Sequence, residues 1–228
     1  MQPKTTLVVC GAILAATSTV PAATMVYNNG MNYSGSFLNP GANEVGDEII
    51  LGAGPRIAST FQFEYFASYP LVHTPNEQFR IRFYNNDGTD LGGPFNTHLP
   101  NSVFYDSGLQ TLAPPIDPSG RATYLFDLTL ANIVLPDRFT WSVQFTGVGD
   151  QVGETVGVSL YDPPTVGNNF DDFWFNTGST WELRATNQPI NFGAQITAVP
   201  EPSTYLLAIL GGICGLALLN RRRNSGRQ

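Results

Sequence analysis

Covalent catalysis requires a serine, threonine or cysteine beside a base. Cys10 and Cys214 both lie in apolar terminal runs, so the long stretch between them has no thiol. It also has no Gly-x-Ser-x-Gly elbow. His73 and His98 each fall in a proline-flanked stretch that reads as a solvated loop, and nothing at a zinc-like spacing accompanies them. Glycoside hydrolysis needs two carboxyl groups facing one another across a cleft. Asp171 and Asp172 are adjacent, so on a strand they point to opposite faces. Glu44, Asp47 and Glu48 form a second acidic group, read as the solvated edge before a strand. No catalytic residue is expected, and the protein is expected not to be an enzyme.

Binding chemistry is better represented. Asn86-Asp87-Gly88-Thr89-Asp90 offers oxygen ligands around a glycine, which suits Ca2+, but it lacks the terminal glutamate of a twelve-residue calcium loop. The preferred expectation is a hairpin turn in which Asp-Gly supplies a positive φ, with no cofactor and Ca2+ as the alternative. Trp174 alternates with Phe173 and Phe175 and so falls on the face opposite them, where it would serve as a sugar-stacking platform joined by Trp181 or Tyr161. Against that stands coverage by a loop. Trp141, flanked at period two by Phe139, Val143 and Phe145, belongs in a core.

The elements that must position these residues follow from strict alternation. Phe61, Phe63 and Tyr65 alternate with Gln62 and Glu64; Phe79, Ile81 and Phe83 with Arg80 and Arg82; Phe139 to Phe145 with Thr140, Ser142 and Gln144; Ile190 to Ile196 with Asn191, Gly193 and Gln195. Period two means half-buried strands. Further strands are predicted at 47–51, 103–106, 123–130, 155–161, 170–176 and 181–185, separated by turn clusters such as Asp162-Pro163-Pro164. The stretches 28–43 and 87–100 read as loops or irregular edges. About ten short strands without a long amphipathic helix predict an all-β fold. The expected form is an antiparallel β-sandwich, jelly-roll-like, with a closed barrel as the alternative and strand order left open.

The ends of the chain are of another kind. Lys4 precedes the apolar run Leu7 to Ala16 and then small residues, the three regions of a secretory signal peptide over 1–23, with cleavage after Ala22 or Ala23. At the other end, Val199-Pro200-Glu201-Pro202 leads into an uncharged run from Thr204 to Leu219, then Arg221, Arg222 and Arg223. Those sixteen residues span about 24 Å as a helix at about 1.5 Å per residue, a little short of a hydrocarbon core of about 30 Å. A transmembrane helix over 204–219 is predicted. The basic tail, 221–228, would stay cytoplasmic, leaving the 24–198 body outside.

The order Pro-Glu-Pro, apolar helix, arginine cluster resembles the PEP-CTERM sorting signal of Gram-negative bacteria that make exopolysaccharide. The resemblance covers residues 199–228 and no more of the chain. It implies recognition by exosortase, a membrane protease that cleaves near the Pro-Glu-Pro triplet. It also implies transient anchoring in the inner membrane through the C-terminal helix, and delivery to the envelope, cell surface or extracellular matrix. In the residues themselves the triplet reads as a stiff, extended spacer.

Setting the ends aside changes the composition of the remainder. Of 11 basic residues, Lys4 and four tail arginines drop out, leaving six; of 18 acidic residues only Glu201 drops out, leaving 17. The body therefore carries about −11 and no lysine, which disfavours nucleic acid as a partner. With no cysteine in it, stability must come from an ordinary core. The expected role is that of a non-enzymatic cell-surface or extracellular-matrix protein. A carbohydrate-binding module recognising exopolysaccharide is the alternative, and a polysaccharide hydrolase the least favoured.

Overall fold

The computed structural model describes residues 22–68, 77–92, 97–113, 119–149 and 153–201. The expected signal peptide up to residue 21, Pro202, the 204–219 helix and Arg221, Arg222 and Arg223 lie outside the described residues, as does His73. Among the described residues no helix is long and apolar enough to cross a membrane.

The alternating segments 61–65, 79–83 and 139–145 all lie in strands. Thirteen occur among the described residues: β1 (Thr24–Asn28), β2 (Tyr33–Leu38), β3 (Glu44–Ile50), β4 (Ile57–Ala67), β5 (Gln78–Tyr84), β6 (Val103–Thr111), β7 (Arg121–Asp127), β8 (Arg138–Thr146), β9 (Val156–Tyr161), the two-residue β10 (Asn168–Asn169), β11 (Asp172–Asn176), β12 (Trp181–Ala185) and β13 (Ala194–Val199). They form two antiparallel sheets. One runs β1-β13-β4-β9-β2, with β7 on the other side of β4. The second runs β12-β11-β3-β8-β5-β6, with β10 against β3.

The apolar parity of each strand points inward, and the two inner faces meet. Phe61 of the first sheet lies 5.0 Å from Phe83 and 5.2 Å from Trp141 of the second, and Phe63 lies 5.2 Å from Phe79. All five rings are fully buried in one continuous core. Edge-to-face and tilted geometries at these separations suit the ring quadrupoles and add to the gain from burial.

Some expectations hold and others are corrected. The stretch 28–43, expected as a loop or an irregular edge, contains the edge strand β2, which pairs with β9 in an irregular register through Tyr33↔Tyr161 and Phe37↔Ser159. Its close approach needs Gly157: a Cβ there would lie 2.4 Å from the Leu38 carbonyl oxygen. Residues 190–193 are not part of the last strand. Their backbone bonds to β9 (Tyr161 N–H to Asn191 O, Gly193 N–H to Ser159 O) before the chain crosses to β4, so they are buried without continuing the ladder. The strand expected to end at Leu130 stops at Asp127, whose carboxylate accepts the Thr129 N–H and bends the chain.

Glu44, Asp47 and Glu48 are not a solvated edge: all three are buried, at 6%, 0% and 2% exposure, because β3 is a central strand. Asp47 shares inward parity with Val45 and Ile49, and one carboxylate oxygen accepts the Phe192 N–H at 2.9 Å. Burial pushes the Asp47 carboxyl well above its ordinary range, against the lowering by that bond.

The described parts of the stretch 87–100, residues 87–92 and 97–100, extend the β5–β6 hairpin irregularly. Gly88 and Leu99 are joined by Gly88 N–H to Leu99 O, and Asp90 bridges His98. Gly88 is needed for closeness, not for positive φ: a Cβ would sit 2.8 Å from the Leu99 carbonyl oxygen.

Candidate functional site: the outer face of the seven-stranded sheet

The opposite parity of the second sheet collects polar and aromatic side chains on its outer face. Register aligns one row across six strands, Asp106–Arg82–Ser142–Gly46–Trp174–Leu183. A parallel row contains Arg80, Gln144, Glu44, Asn176 and Trp181, and another contains Tyr84, Thr140 and Glu48.

Glu44 sits at the centre of a hydrogen-bonded group. Its Oε1 accepts the Tyr84 hydroxyl at 2.9 Å and the Ser142 hydroxyl, and its Oε2 lies 2.8 Å from Arg82 Nη1 and 3.5 Å from Asn176 Nδ2. Arg82 and Arg80 both reach Asp106, whose carboxyl is held below its usual range chiefly by the hydrogen bond from Arg80. Burial, then the Glu44 charge, pushes the Tyr84 phenol far above its ordinary value, so it acts as a donor.

Four residues along the strand, Glu48 is held by Arg138 and by the Asn86 amide, and Asn86 Oδ1 in turn accepts the Thr140 hydroxyl at 2.8 Å. At about 3.4 Å per residue the Cα atoms of Glu44 and Glu48 are about 14 Å apart, and each carboxylate is turned to its own partners.

Trp174 lies on this outer face, opposite Phe173 and Phe175 as alternation required, but it is not a platform: its exposure is 0%. Tyr84 and Trp181 reach toward each other from strands separated by β8, β3 and β11, and their rings meet edge to face at 5.3 Å. The line between them crosses the Gly46–Trp174 row, where a Cβ on Gly46 would lie 2.7 Å from the Thr140 methyl group. Trp181 therefore does share the Trp174 face. Tyr161 does not, for it belongs to the other sheet, 5.3 Å from Tyr33 and beside Arg121.

The carboxylates of the Asn86–Asp90 segment are engaged within the hairpin. Asp87 accepts the Ser102 N–H at 2.9 Å and the Ser102 hydroxyl at 2.6 Å, bonds that lower its carboxyl below the usual range, and Asp90 accepts the Gly92 N–H. His98 is half-buried with Nδ1 3.2 Å from Gly88 O. Around them opens a depression of about 300 Å³ lined by Asn85, Asn86, Asp87, His98 and Arg138. Asp172 is half-buried on the same outer parity, its carboxyl raised by burial and then by Glu48, while Asp171 is exposed. Among the described residues no group of three or more His, Cys, Asp or Glu side chains is arranged to hold a metal.

The residues of the expected sorting and cleavage signals that are described lie at one end of the other sheet. Ala22 and Ala23 are exposed immediately before β1; Val199 ends β13, Pro200 is half-buried and Glu201 exposed. Sequence reasoning missed the Glu44–Arg82 and Glu48–Arg138 pairs. Even spacing already put Glu44 with Glu48, and Arg80 with Arg82, on faces opposite the core, but the pairing of β3 with β8 and β5 was needed to join them. Comparison with protein-family models, with curated proteins and with solved structures gives no match.

Proposed function

We propose that this is an exported, non-enzymatic cell-surface or extracellular-matrix protein, sorted through a PEP-CTERM signal by an exosortase-type membrane protease. Its body is a jelly-roll-like sandwich delivered to the envelope or matrix of a Gram-negative bacterium. The observation that carries the reading is the fit between the folded sheet and the two processing points. β1 opens at Thr24, next to Ala23, and β13 closes at Val199, next to Pro200. Cleavage at either point would leave every strand whole. Proline at 200 has no N–H for a ladder and fixes its own φ, which suits an extended peptide offered to a protease.

Mass spectrometry of both termini of the protein recovered from the cell surface tests this. The expected chain begins at Ala23 or Thr24, ends near Pro200 to Pro202 and lacks Arg221 to Arg223. Surface protein that keeps those arginines would overturn the reading.

A further inference from the structure

The depression at the β5–β6 end of the outer face is built from three separated segments, 85–87, His98 and Arg138. Its walls are fixed before any ligand arrives. Asn86 is held by Thr140 and Glu48, Asp87 by Ser102, and Arg138 by Glu48 with its guanidinium 4.8 Å above the Phe170 ring. Preorganised side chains lose little freedom on binding, which is where polar sites gain affinity. At about 300 Å³ the space is at the lower end of small-ligand sites, which run from about 300 to about 1,000 Å³.

Charge selects the ligand. Arg138 is neutralised by Glu48, and Asp87 is an exposed carboxylate, so a second anion would be repelled. An apolar ligand would desolvate amides, a carboxylate and an imidazole without replacing their hydrogen bonds. Hydroxyl groups both donate and accept, and match amide, carboxylate and imidazole together. The depression on the other sheet, beside Gly30, Glu64, Gly193 and Gln195, is about 20 Å³, room for little more than one water.

We propose that Asn85, Asn86, Asp87, His98 and Arg138 form a binding site for a neutral, polyhydroxylated ligand, the sugar units of an uncharged glycan. The proposal deepens the surface-or-matrix reading by naming the class of polymer the body would contact. Its test is independent of how the termini are processed.

Purified full-length protein in a polyoxyethylene detergent, which contributes no sugar, is titrated calorimetrically with neutral gluco-, manno- and galacto-oligosaccharides, with oligouronates and with CaCl2 alone. Saturable binding of a neutral oligosaccharide is expected. Affinity should fall at least tenfold in the Asn85→Ala, His98→Ala double variant and stay unchanged in Gln195→Ala on the other sheet. Asn85→Asp, equal in shape but without amide donors, keeps the test open if the double variant misfolds, and the same direction of loss is expected. The proposal is overturned by no binding of any neutral oligosaccharide, by stronger binding of oligouronates or of Ca2+ alone, or by undiminished binding in the folded variants.

Discussion

Thr24, the first residue of β1, faces Ala198 across the ladder to β13, so the first strand of the domain lies against its last. β1 has no other strand partner among the described residues. It delivers Val26 and Tyr27 to the core, both at 0% exposure. Deleting residues 24–28 is expected to cost roughly 4 kcal/mol or more, since two large side chains leave the core together. Urea denaturation with and without the segment measures this. An unchanged midpoint would mean that β1 is dispensable.

Asp47 should make stability depend on pH in a direction opposite to most carboxylates. Its folded pKa is raised by burial, so its contribution is fully present below the unfolded value, about 3.9. That contribution is lost as pH rises through the folded value. Asp87, Asp106 and Asp127, all lowered, act the other way and would mask it in the parent alone. Comparing Asp47→Asn with the parent isolates the effect: the variant should gain relative stability between pH 4 and pH 7. A constant difference across that range would contradict the assignment.

Glu44 and Arg82 form a largely buried pair, with side-chain exposures of 7% and 14%, and without Glu44 the arginine is left with the more distant Asp106, 3.4 Å from its Nε. Glu44→Gln is expected to destabilise by about 2–4 kcal/mol. Adding Arg82→Met should restore part of it, because a buried arginine left with its more distant carboxylate is removed while Asp106 keeps Arg80. A double-mutant cycle by chemical denaturation reads the coupling.

Trp174 is a packing residue, and its indole N–H has no hydrogen-bond partner among the described residues. Trp174→Ala should cost about 3–5 kcal/mol, whereas Trp174→Phe, which abandons no hydrogen bond, should cost about 1–2 kcal/mol. Any glycan binding should survive Trp174→Phe unchanged. Weakened binding in that folded variant would return Trp174 to the role of a ligand platform.

Gly157→Ala would drive a methyl group into Leu38 O and Phe37 of β2. A loss of about 1–3 kcal/mol is expected, with faster amide hydrogen exchange confined to residues 33–38 and their β9 partners. Uniform acceleration across both sheets would show instead that β2 does not open separately.

The strands that alternation revealed were those whose two parities differ most in chemistry, such as Phe139, Trp141, Val143 and Phe145 against Thr140, Ser142 and Gln144. Tyr33–Leu38 escaped because its glycine and serines carry no such contrast; its strand geometry comes from pairing with β9. Asp47 was misread for the converse reason. It occupies an apolar parity, between Val45 and Ile49, where the distant Phe192 backbone N–H holds one of its oxygens. Trp174 was assigned to the correct face, but its complete burial there was not legible in the local pattern. The depression was least legible of all. Asn86 attracted attention as a calcium ligand, yet the Arg138 beside it is 52 positions away, and no local pattern announces that meeting.

β13, last of the described strands, sits inside its sheet between β1 and β4. A growing polypeptide therefore leaves an open slot in its own architecture until the final strand arrives, and β1 must wait almost the whole length of synthesis for its neighbour. Sheet closure thus reports that synthesis has passed residue 199. A product stopped short of residue 194 would lack the strand that joins β1 to β4 and would expose the β4 edge to proteases. In this arrangement the topology carries out its own quality control.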